Sequence, residues 1–126
     1  MHRLTRILSI AAVLVGAVIA VGCGLSGQVR EAAQQQQIQN DLKVLYFAYV
    51  NHIDSHGKGP ASWDELLQFS SKSGEDTQSL VRVRDAGYQV KWGVKMSDAT
   101  EGTAEFVLAQ PSGSGPKLML DGAIRQ

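Results

Sequence analysis

Ile38-Gln39-Asn40-Asp41-Leu42-Lys43-Val44-Leu45-Tyr46-Phe47-Ala48-Tyr49-Val50-Asn51-His52-Ile53 decides the first half of the fold. Ile38, Leu42, Leu45, Tyr46, Tyr49 and Ile53 recur at three- and four-residue intervals. They fall within roughly 100° of one helix face, the width of a core-facing stripe. Val44 and Phe47 lie off that stripe, so cover on a second side is expected. Upstream, Gln28 to Asn40 holds good helix formers with no Pro or Gly. The helix is therefore expected to extend back as a polar stalk. Downstream, Gly57 suits the C′ position, and Gly59-Pro60 prevents continuation.

Two shorter helices are expected next. Ser62-Trp63-Asp64-Glu65 reads as a capping box, with Ser62 as cap and Glu65 at N3. Trp63, Leu66, Leu67 and Phe69 give that helix its apolar side. Asp76 to Ala86 is a third helix with Leu80, Val81 and Val83 inward and Gly87 as its end. Its Val81-Arg82-Val83-Arg84 also alternates like a strand.

From Tyr88 the period becomes two. Tyr88, Val90, Trp92, Val94 and Met96 share one side; Gln89, Lys91, Gly93 and Lys95 share the other. That pattern predicts a half-buried antiparallel strand. Further strands are expected over Glu105–Ala109 and Lys117–Leu120. Asp121-Gly122 predicts a two-residue hairpin turn into Ala123-Ile124-Arg125. Helices first and strands second make an α+β protein: a long N-terminal helix packed on a three- to four-stranded antiparallel sheet.

Leu42-Lys43, Tyr49, Asn51-His52, Asp54, His56-Gly57-Lys58 and Pro60 resemble a segment of the planctomycete pseudopilin-like secreted protein family. Ser62 to Leu66, Tyr88 to Val94, Val107-Leu108-Ala109 and the closing Leu118 to Arg125 also resemble its blocks, in the same order. The resemblance implies a pilin-like head and an envelope location, but no reaction. Full-length members begin with a pilin-type signal and carry a histidine before the Asp-Gly pair. Here the start differs, and Pro111 stands at the histidine position.

The start is a basic head with Arg3 and Arg6, an apolar run from Ile7 to Val21, then Gly22-Cys23. The run is shorter than the ~20 residues that span a bilayer core. Ala20-Val21-Gly22-Cys23 matches a lipobox, with Ala20 where Leu or Val is usual. Residues 1–22 are therefore read as a lipoprotein signal peptide, and Cys23 as the lipidated residue. A transmembrane anchor and a plain secretory signal are the competing readings. Several acyl chains on Cys23 would hold the protein on the membrane stably. Gly24 after the cysteine favours the outer over the inner membrane by the enteric rule. The expected order is then signal 1–22, tether and polar helix start 23–37, and an α+β domain over 38–126.

Twelve basic and twelve acidic residues balance in the whole chain. No basic stripe suggests nucleic acid. Cys23 is the only cysteine, so no disulfide is expected. The residues point to no cofactor.

Candidate chemistry is sparse. His52 and His56, at i and i+4, are weak candidates for a metal pair. Capping and surface placement at a helix C-terminus explains them more simply. Asp121 is the only ligand offered where a calcium loop needs several oxygen ligands at alternating positions. Ser62 with Asp64 lacks a nucleophile elbow. Gly113 and Gly115 lack the helix of a phosphate loop. Trp63 and Trp92 sit at apolar-periodic positions and read as core aromatics. The expectation is a non-enzymatic, lipid-anchored envelope protein with a structural or adaptor role. Its domain would lie in the periplasm or at the cell surface. Gln89, Lys91 and Lys95 are the candidate surface for an envelope protein partner. The alternative is a small periplasmic binding module for a metal ion or envelope glycan, using His52, His56 and Trp63.

Overall fold

The computed structural model describes residues 30–126. The first helix, α1, runs over 30–56, and its residues 30–36 are exposed. Residues 37–126 form one compact unit. There α1 is followed by α2 (Trp63–Lys72) and α3 (Thr77–Asp85). The strands are β1 (Gln89–Val90), β2 (Val107–Gln110), β3 (Lys117–Met119) and β4 (Ile124–Arg125). All pair antiparallel in sequential order, a meander. The α+β architecture is the one the sequence predicts.

The core joins all three helices to the sheet. Leu42, Leu45, Ala48, Tyr49 and Ile53 of α1 meet Leu66, Leu80 and Val83 of the shorter helices and Leu108, Ala109 and Leu118 of the strands. Each fully buried leucine contributes about 2 kcal/mol of transfer free energy. Val44 is half-buried, while Phe47 is 62% exposed. The second-side cover expected there is thus partial.

The helix ends follow their signals. Gly57 takes φ +80 and its N–H returns to the Ile53 carbonyl. Asp76 caps α3 through the Gln78 N–H. Ser62 caps α2 by accepting from the Glu65 N–H. The expected box is only half formed, because Glu65 Oε2 accepts instead from the N–H of Ala61.

The strand expected over Tyr88–Met96 is corrected most. Its ladder holds only Gln89 opposite Gln110 and Val90 opposite Ala109. Lys91 N–H still reaches the Leu108 carbonyl at 2.9 Å. At Gly93, φ +68 turns the backbone away. There Gly93 N–H donates to Pro60 O at 2.8 Å and Gly59 N–H to Val94 O at 2.7 Å. β2 begins at Val107, so the α1–α2 connection takes over as pairing partner. Burial still alternates as far as Val94; Met96 is 41% exposed and opens a short 3-10 helix, Met96–Asp98.

The closing hairpin differs by one residue. Gly122 N–H bonds Met119 O, and Met119 N–H bonds Ala123 O. The loop is therefore Leu120–Gly122, with Gly122 at φ +89. A three-residue loop ending in a left-handed glycine suits the twist of the strands. Asp121 Oδ1 accepts from the Ala123 N–H, so its carboxylate serves the turn.

Candidate functional site

The richest polar cluster lies where α1 ends. His52 falls three residues after Tyr49, on the buried side of the helix, and is 2% exposed. This corrects the surface placement expected from its position near the helix end. Its Nδ1 stands 2.8 Å from the Lys58 carbonyl oxygen, and its Nε2 stands 3.0 Å from Glu65 Oε1. A backbone carbonyl and a carboxylate only accept hydrogen bonds. One ring thus ties α1 to the α1–α2 connection and to the first turn of α2.

His56 stacks on His52 with centroids 4.3 Å apart and planes 17° from parallel. Phe69 meets both rings edge-on, at 5.0 and 5.7 Å. His52, His56, Glu65, Gln68, Phe69 and Lys72 line an open groove of about 360 Å³. Metal ligation needs an unprotonated ring nitrogen. Both His52 nitrogens face oxygen acceptors, and the parallel stack keeps the two rings from converging on one point. Among the described residues, no group of three His, Cys, Asp or Glu is placed to hold a metal ion.

The Ala61 N–H holds the Glu65 carboxylate below its usual range, against desolvation; the charge and hydrogen bond of His52 add to the effect, with a smaller part from His56. Glu65 thus has two partners beyond its own helix, which a capping-box reading cannot show.

Beside this cluster, the Tyr49 hydroxyl donates to Lys91 O at 2.6 Å and accepts from Val94 N–H at 3.1 Å. Burial pushes its phenol upward; the Val94 N–H opposes that and the charge of Asp98 adds to it. Gly59 lies beneath the Tyr49 ring so closely that a Cβ there would clash with the hydroxyl oxygen and the ring carbons beside it. Trp92 stacks on Tyr49 at 6.4 Å, and Trp63 meets Trp92 edge-on at 5.1 Å. Both tryptophans are half-buried against the core.

Gln89, Lys91 and Lys95 are all exposed but do not share a strand. Gln89 lies in β1, and Lys91 follows it with its ammonium 4.4 Å from the centre of the Phe106 ring. Lys95 precedes the 3-10 helix, and its N–H is held by Asp98 Oδ2. Cys23 and the signal segment lie outside the described residues.

Sequence reasoning missed a second polar link. Asp41 of α1 is buried, and Arg82 of α3 binds it with two parallel hydrogen bonds of 2.9 Å. The Asp41 carboxylate raises the Arg82 pKa further. The signal was present: Asp41 precedes Leu45 by four residues and so falls on the apolar stripe.

No family model, curated protein or solved structure matches the chain.

Proposed function

We propose that this protein is a lipid-anchored component of the bacterial cell envelope with a structural or adaptor role. The observation that carries the reading is Ala20-Val21-Gly22-Cys23 behind a basic head and an apolar run. Among the described residues, no helix is long and apolar enough to cross a membrane. Lipid on Cys23 would supply the attachment, and the α+β domain would stand beside the membrane as a docking body.

The side chains with reactive groups named above are occupied in building the fold. Both nitrogens of His52 face internal oxygens, Ser62 caps α2, and Asp121 closes the last turn. That use supports an adaptor, for which a rigid frame matters more than a reactive group. Exposed Lys91, at the corner where β1 ends, and nearby Lys95 offer positive charge to a partner.

Radiolabelled palmitate fed to an expressing bacterium tests the anchor. The wild-type chain is expected to carry label and Cys23→Ser to lose it. Label in neither chain would remove the lipoprotein reading, and with it the proposed place of work.

A further inference from the structure

We propose that His52 is a proton-loaded clamp: with a proton on each ring nitrogen it fastens the α1–α2 connection, and loss of one proton releases that connection and the 91–95 corner paired with it. The warrant is a count of donors and acceptors. A neutral imidazole donates once, and only the imidazolium donates twice. His52 meets two oxygens, Lys58 O at 2.8 Å and Glu65 Oε1 at 3.0 Å, in a site that leaves it 2% exposed. The ring itself is cut off from water, so a neutral His52 would leave one nitrogen lone pair facing an oxygen. The Glu65 side chain, 46% exposed, is the partner that can turn away to water and let go of the connection.

The charges around the ring come from each packed element. From α2, the Glu65 carboxylate faces the ring and is itself held below its usual range, first of all by the Ala61 N–H. From the connection, the Lys58 carbonyl oxygen faces it too. Against these stand His56, stacked on the ring from α1, and Lys72, which lines the same groove from α2. A proton on His56 would repel one on His52, so the clamp holds best with His56 neutral.

The clamp reaches beyond its own contacts. Residues 58–61 supply Lys58 O and Ala61 N–H to the His52–Glu65 pair. The same residues supply Gly59 N–H and Pro60 O to Val94 and Gly93. Opening the first set of bonds frees the second. Lys91 and Lys95 flank the freed segment, so proton loss would change how the proposed docking surface is presented. This rests on the adaptor reading only for its purpose; the clamp itself stands on the bonds of His52.

The experiment uses the full chain in detergent, with nitrogen-15 NMR of the imidazoles and amide hydrogen exchange from about pH 5 to about pH 9. At the acid end both His52 nitrogens are expected in the protonated range. As one proton leaves, protection of the Gly59 and Gly93 amides, corrected for intrinsic exchange, is expected to fall by up to about tenfold per pH unit. The Arg82 amide, in α3, should stay flat. His52→Gln, which can donate to only one of the two oxygens at a time, should remove the pH dependence. A bare His52 nitrogen at the acid end would overturn the clamp, whether or not the variant folds. Flat Gly59 and Gly93 protection through a visible His52 titration would overturn the coupling. Neither result depends on whether Cys23 carries lipid.

Discussion

α1 is fastened at two places by different chemistry. Near its middle, Asp41 meets the guanidinium of Arg82 through a planar pair of bonds. Near its end, His52 meets a carbonyl and a carboxylate through single bonds. The donor of the first link keeps its charge across the ordinary pH range, since arginine does not lose its proton. The second depends on the solution for one of its donors. A buried polar link can therefore set geometry unconditionally or conditionally, and the number of protons its donor must supply decides which.

Substitutions can break that contrast in order of size. Gly59→Ala should cost most, about 3 kcal/mol, because the added Cβ meets the ring of a fully buried tyrosine pinned at its hydroxyl. Thermal unfolding reads the loss. A stability like that of wild type would mean that the corner is looser than its hydrogen bonds imply.

Breaking the Asp41–Arg82 link comes next, with an expected loss of about 2 kcal/mol for Asp41→Ala. Arg82→Ala should be worse than Asp41→Ala. It strands a carboxylate whose side chain is 4% exposed, whereas the arginine side chain left by the other change is 44% exposed and can turn to water. Urea denaturation of both variants tests the ranking. Neither difference from wild type should change between neutral and mildly alkaline pH; a pH-dependent difference would erase the distinction between the two links.

Glu65→Gln should have the smallest effect, and its pH dependence is the informative part. The folded carboxylate titrates below its ordinary value of 4.5. Its ionised form therefore contributes stability above that value, and the contribution is lost as pH falls through the lowered one. Stability differences between wild type and Glu65→Gln, followed by urea denaturation from neutral to acid pH, should shrink below 4.5. A difference that grows on acidification would reverse the assignment of Glu65 as a charged partner.

Local signals made most of the fold legible. The stripe from Ile38 to Ile53, the cap at Ser62 and the glycine after α1 depend on neighbours a few residues away. The segment after Tyr88 shows where such reading stops. Its alternation reports which side chains face the core, and they do so through Val94. It does not report whether a strand lies alongside, which depends on where β2 starts. The polar links were hidden for the same reason. Asp41 and Arg82 are 41 positions apart in the chain. Glu65 was already explained by its cap position, and a histidine near a helix end has an ordinary role there. Their places on the stripe of Leu45 and Tyr49 were the only hint that both Asp41 and His52 face inward.

The pairing of Trp63 with Trp92 has an optical consequence. The chain has two tryptophans, and both stand at the corner formed by Tyr49 and Gly59. Indole emission thus comes from one place, and unlabelled protein carries its own lamp. Opening of that corner would redden and dim the light before global unfolding, while loosening at the Asp41 end would leave its colour unchanged.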